Sequence, residues 1–137
     1  MRRKFPKEMK ALSEVHAFVE EFLGTIDAGG KAAYTLNLAL EEILTNMIKY
    51  HPESREDVEI GLNVEDEYIV GNLTDFGVDS FDITTSKEVD IDAPAESRVP
   101  GGLGLHLIKQ MTDDLGYRFE DGNSTVTIKI AIRGEDV

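Results

Sequence analysis

Glu42, Asn46 and Lys49 set an anionic carboxylate, a neutral amide and a cation on successive turns of one candidate helix. Projected at about 100° per residue, the three share a stripe about 60° wide. Glu41 falls about 100° round from Glu42, so only one of the two adjacent glutamates joins the group. A second group, Asp75-Phe76-Gly77, stands where a strand pattern ends. The third is Gly101-Gly102-Leu103-Gly104, a glycine run that opens a helix. Such a run offers free backbone N–H groups and the positive end of the helix dipole to a phosphate, with no side chain in the way. Each group alone also has a plain structural reading: a solvated helix face, turn chemistry after a strand, and a loop that turns into a helix.

The stripe belongs to a helix expected from about Lys31 to Tyr50 and stopped by Pro52. Its Leu36, Leu40, Ile43, Leu44 and Met47 fall in a separate arc of about 100°, the face that meets a core. Ahead of it, Arg2 to Phe5 reads as a short edge strand. Met9, Leu12, Val15, Val19, Phe22 and Leu23 then recur at helical spacing between Lys7 and Leu23, and Gly24 ends that helix. Thr25 to Gly30 is a loop. Val58, Ile60, Leu62 and Val64 alternate with polar residues, and Glu65-Asp66-Glu67 turns the chain into a second strand from Tyr68 to about Thr74. From Asp75 to Gly104 the pattern dissolves into a long polar segment of the kind that forms lids. A helix from about Leu103 to Asp114, a strand from Tyr117 to Glu120, a turn at Asp121-Gly122-Asn123 and a last strand with Val126, Ile128, Ile130 and Ile132 inward complete the order. These elements predict an α/β two-layer sandwich: a mixed, mostly antiparallel sheet with its helices on one face.

Length and composition bound the function. The 137 residues fit one domain with a core of its own. Cysteine is absent, which removes disulfides, thiolate nucleophiles and Cys-based zinc sites and suits a reducing compartment. No apolar run approaches a membrane span, and the first residues lack the apolar core of a signal peptide, so a cytoplasmic protein is expected. Twenty-seven acidic against 14 basic residues give a net charge of -13, which disfavours nucleic acid and anionic lipid and favours a basic protein partner, or simply solubility. His16, His51 and His106 show no metal-ligand spacing.

In this order and spacing, the three groups resemble the asparagine box and the two glycine boxes of the GHKL, or Bergerat-fold, ATPases, which include histidine kinases and gyrase. Asn46-Met47-Ile48-Lys49-Tyr50-His51-Pro52 is similar to the Asn-Ala-x-Lys-Tyr-Thr-Pro of histidine kinases. Glu41-Glu42-Ile43-Leu44-Thr45-Asn46, Asp75-Phe76-Gly77 and Gly101-Gly102-Leu103-Gly104-Leu105-His106-Leu107-Ile108 resemble most closely the small anti-sigma factor serine/threonine kinases. The likeness runs from the first strand to the last, as a single histidine-kinase-like ATPase domain over residues 1–137.

The resemblance implies ATP and Mg²⁺ as cofactors. Asn46 matches the residue that holds the metal through its amide oxygen, Glu42 the general base, and Lys49 a cation that offsets phosphate charge. Asp75 matches the acceptor of the adenine amino group, and Gly77 gives the base room. Gly101, Gly102, Gly104 and Leu105 match the phosphate cradle, while Val78 to Pro100 would be the lid, with Arg98 a further phosphate contact. The implied partners are a STAS-domain anti-anti-sigma factor, phosphorylated on Ser or Thr, and a sigma factor held by sequestration; a homodimer is also implied. A histidine kinase would need a separate phospho-acceptor helix, for which the chain is too short. The alternative is a non-catalytic nucleotide-binding module that sequesters its partner by affinity alone. The sequence departs from the family pattern in the lid, where Asp75 to Phe81-Asp82 is one residue longer and Ile83 replaces a proline.

Overall fold

Alternation along Val58, Ile60 and Leu62, and again along Val126, Ile128 and Ile130, gives each strand one buried face, and the chain folds to stack those faces under its helices. The structure, a computed structural model, describes residues 1–50, 57–76 and 102–133. In chain order these form β1 (Arg2–Phe5), a 3-10 turn (Met9–Ala11), α1 (Leu12–Leu23), α2 (Gly30–Tyr50), β2 (Val58–Glu65), β3 (Tyr68–Asp75), α3 (Gly102–Met111), β4 (Asp114–Glu120) and β5 (Asn123–Ala131). The five strands make one sheet in the order β1-β2-β3-β5-β4, and all four neighbouring pairs are antiparallel. Phe18 and Phe22 of α1, Leu36, Leu40, Ile43 and Leu44 of α2, and Ile108 of α3 join the inner sheet residues in one core. The expected two-layer sandwich is the fold observed.

Three boundaries differ from expectation for local reasons. The first helix starts at Leu12, because Pro6 to Glu8 make a turn, with Glu8 N donating to Pro6 O at 2.8 Å, before the 3-10 turn. α3 stops at Met111, where Thr112 Oγ1 bonds back to Ile108 O at 2.9 Å and Asp113 N donates to Lys129 O at 2.8 Å. That second bond starts β4 at Asp114, three residues earlier than its side-chain pattern indicates. Both turn residues between β4 and β5, Asp121 and Gly122, have positive φ (54° and 78°), the geometry that continues the twist of a tight hairpin.

Gly71 lies in the core-facing row between Leu62 and Ile128. A Cβ there would come within 3.1 Å of Ile128 Cγ1 and 3.3 Å of Leu62 Cδ2, so the row closes only over a glycine. At the sheet edge, Phe5 packs edge-on against Phe18 with centroids 5.4 Å apart, and this contact ties β1 to α1.

Candidate functional site

A single cross-strand row ends the sheet where β1 leaves it. Phe5 stands opposite Val58, Val58 opposite Asp75, and Asp75 opposite Ser124, and all four are buried. Directly opposed residues in antiparallel strands project to one side, so this row faces the helices. Asp75 therefore enters the interior as a carboxylate among apolar neighbours, which requires a compensating charge or donor. Lys7, just past β1, supplies one: its Nζ lies 2.5 Å from Asp75 Oδ1, with side chains 4% and 0% exposed. The Tyr117 hydroxyl lies 3.2 Å from Ser124 Oγ in the same corner.

The direction of α2 is fixed at its other end. Gly29 N donates to Ile132 O at 3.0 Å, and a small cleft lined by Lys31, Thr35, Met111, Ile130 and Arg133 joins the start of α2, the end of α3 and the end of β5. α2 packs along β3 and β5. Asn46 is about 22 Å along the helix from Lys31 at 1.5 Å per residue, and Ser124 is about 24 Å along β5 from Ala131. Asn46 is thus level with the Asp75–Ser124 end of the sheet. α3 packs against α2 and ends beside its start. Its first turn, with Gly102 and Gly104, is therefore turned toward the C-terminal half of α2, and Leu105 follows in the same helix. Of the remaining expected site residues, Gly77, Gly101 and the lid segment 78–100 with Arg98 lie outside the described residues, as do His51 and Pro52.

Asn46 is buried, although helical projection alone sets it outside the apolar arc. Its Nδ2 donates to Glu42 O at 2.8 Å. A carbonyl only accepts, so the amide must present its nitrogen there and its oxygen on the other side. That oxygen, Oδ1, is buried and has no hydrogen-bond partner among the described residues. An unpaired buried acceptor costs about 1–3 kcal/mol, and a hard cation is a partner that an amide oxygen suits. Among the described residues, no three His, Asp or Glu side chains converge on a metal position. An amide oxygen suits a hard cation such as Mg²⁺, which keeps waters and shares phosphate oxygens.

Glu42 is half-buried and Glu41 exposed, which separates the two glutamates as the projection did. Burial first, and then the neighbouring Glu41 charge, push the Glu42 carboxyl above its ordinary value, while Lys49 pulls it down. Lys49 itself is exposed, so its charge acts at the mouth of the group rather than inside it. His16 is exposed on α1, with Nδ1 3.0 Å from Asn37 Oδ1, a surface link between α1 and α2.

A half-buried glutamate, a buried amide oxygen and a buried carboxylate belong to the described part of this fold. The sequence profile described as "Histidine kinase-like ATPase domain" matches residues 5–130. The chain belongs to this family. Serine-protein kinase RsbW of Listeria monocytogenes is 32% identical over 105 residues, covering 72% of this chain and 66% of that protein. The RsbW of Listeria innocua is 31% identical over the same span. The chain thus spans 66% of the length of these relatives. Among solved structures, the RsbU and RsbW domains of Rv1364c from Mycobacterium tuberculosis superpose with a TM-score of 0.69 at 13% identity, covering 96% of this chain and 32% of that one. The SiaB-SiaC complex from Pseudomonas aeruginosa gives a TM-score of 0.58 at 17% identity, covering 96% and 89%. The catalytic domain of the histidine kinase ThkA gives 0.55 at 13%, covering 100% and 99%. These three likenesses are of fold. Among the described residues, no helix of this ATPase-family chain is long and apolar enough to cross a membrane.

Two residues of this corner were not singled out in the sequence. Ser124 is reachable from the sequence once β5 is registered against β3, since it falls opposite Asp75. Lys7 is not, because nothing near it in the chain signals a partner in β3.

Proposed function

We propose that this protein is an ATP-dependent serine/threonine-protein kinase that also acts as an anti-sigma factor, with a STAS-domain anti-anti-sigma protein as substrate. The observation that carries the reading is the pair on α2: an amide oxygen buried and unpaired at Asn46, one turn from a half-buried glutamate with a raised pKa. Asn46 Oδ1 would hold Mg²⁺, and Asp75 would accept a hydrogen bond from the adenine amino group. Gly102 and Gly104, with Gly101 and Leu105 beside them, would offer backbone N–H groups to the phosphates. Bound Mg-ATP supplies the phosphoryl group. Glu42 would take the proton from a Ser or Thr hydroxyl as that oxygen bonds to the γ-phosphorus, while the bond from that phosphorus to the β,γ-bridging oxygen breaks and ADP leaves. Lys49 would offset charge at the entrance. RsbW relatives named serine-protein kinases support this class, and the net charge of -13 suits a basic partner such as a sigma factor. Residues 1–137 would act as one domain.

The experiment is transfer of label from γ-labelled ATP with Mg²⁺ to STAS-domain proteins of the same organism. Label on a Ser or Thr that is lost with Glu42→Gln supports the kinase. A stable, nucleotide-dependent complex without transfer would instead identify a sequestering module.

A further inference from the structure

Glu42 stands at a border on α2. At about 100° per residue, Thr35 and Asn46 fall just to one side of it, and both are buried. On its other side an arc of about 100° runs round to Glu41 and takes in Tyr34, Leu38, Thr45 and Lys49. Those four are exposed or half-buried, as are the two glutamates that bound the arc. Tyr34 is 63% exposed, more than any other large hydrophobic side chain among the described residues. It lies about 12 Å along the helix from Glu42 at 1.5 Å per residue. One exposed ring needs no explanation by itself. This one shares an open strip of helix with the carboxylate that is to take a proton from another protein.

The arc is also polarised. Lys31 and Lys49 lie toward its Glu42 border, and Glu41 forms the other. Beyond Glu41 comes α1, tied to this flank by His16 and Asn37. α1 carries Glu14, Glu20 and Glu21, all exposed, and neither lysine nor arginine.

We infer that the arc of α2 between Glu42 and Glu41 is the docking surface for the phospho-accepting protein, which lays an apolar side chain against Tyr34 and Leu38 and a basic one against Glu41 while its Ser or Thr hydroxyl reaches Glu42. The inference rests on the reading of Glu42 as the base. Because Thr35 and Asn46 turn inward on the far side of Glu42, a hydroxyl carried on a folded protein arrives over the open arc. Such a protein covers Leu38 and Thr45, one turn to either side of Glu42. Tyrosine suits the anchor, since its ring buries a large area and it is enriched among the residues that carry binding energy. The acidic flank beyond Glu41 selects a basic surface on the partner and repels an acidic one.

The test is steady-state transfer of γ-label at saturating Mg-ATP, with varied concentration of the STAS-domain protein that accepts the label. Tyr34→Ala is expected to raise KM for that protein about ten-fold or more, with kcat and the Kd for ATP near the wild type. Glu41→Gln, assayed at a pH where the Glu42 carboxyl is ionised, should raise the same KM about two- to five-fold. Met9→Ala truncates an exposed side chain that is not on α2 and should leave KM unchanged. An unchanged KM in either of the first two variants overturns the inference. So does an equal rise in Met9→Ala, or a fall in kcat with no rise in KM. Wild-type protein that transfers no label to any STAS-domain protein overturns the reading of Glu42 as a base, and this surface with it, before any variant is made.

Discussion

Asn46 Nδ2 donates to the main-chain carbonyl of Glu42 at 2.8 Å, so the proposed metal ligand is held by the backbone of the proposed base. The bond fixes the Asn46 side chain and does not involve the Glu42 carboxylate, so it is the amide oxygen that is preset before any ligand arrives.

This arrangement sets stability against binding. Asn46→Leu removes an unpaired buried acceptor worth about 1–3 kcal/mol and fills the space with carbon. The melting temperature of the nucleotide-free protein is expected to hold or rise. The further rise on adding Mg-ATP should vanish, and thermal melts with and without Mg-ATP read both outcomes. A variant that melts lower alone and still responds to Mg-ATP would oppose the metal assignment.

Glu42 gives a pH prediction with a definite sign. Its carboxyl is held above the ordinary value, so the base is lost at a higher pH than an exposed glutamate would allow, and kcat should fall as pH drops through that raised value. Glu41→Gln removes a neighbouring negative charge and should move this acid limb down. Lys49→Met removes a positive one and should move it up. Glu42→Gln should lower the transfer rate by about 10²- to 10⁴-fold.

The same shift bears on stability. The charged form is less favoured in the fold than in the unfolded chain, so Glu42 detracts from stability above its folded pKa, and the effect is relieved as pH falls through it. Glu42→Gln is therefore expected to melt higher than the wild type at neutral pH, with the gain fading toward acid pH. Melts across a pH series check the trend.

Gly71→Ala should lower stability by about 1–3 kcal/mol through overpacking against Ile128 and Leu62. Gly61→Ala, whose Cβ would meet only the flexible end of Arg2 at 3.6 Å, should be nearly neutral. Urea unfolding of the two variants side by side checks the contrast, with equal ATP affinity expected in both.

How much of this was legible in the sequence depends on the range of each interaction. The periodic elements were legible, because one face of each strand and helix meets a single core and the spacing records it. The split between Glu42 and Glu41 was legible for the same reason. Burial of Asn46 was not, since a projection shows one helix alone and not what the rest of the fold lays against it. Boundaries moved where backbone hydrogen bonds outrank side-chain pattern, as at Asp113 with Lys129. Lys7 read as an ordinary helix-start lysine because its partner lies in β3, brought near only by the pairing of β1 with β2 and β2 with β3.

His16→Ala is expected to leave transfer unchanged, because the ring is exposed on α1 and engages Asn37 at the surface. The label on the substrate should be stable to acid, as for a phosphoserine or phosphothreonine and not a phosphohistidine. Acid treatment of the labelled partner before counting distinguishes the two.

The strand order has a consequence for synthesis. β5 follows the other four strands in the chain, yet it lies between β3 and β4. While a nascent chain is still emerging, β1, β2 and β3 can pair, but the far edge of β3 stays open, with Asp75 at its tip and no Ser124 opposite. An open edge of this kind invites pairing with other chains. The Asp75–Ser124 corner is thus assembled last, and a half-made protein on the ribosome has only one side of it to offer.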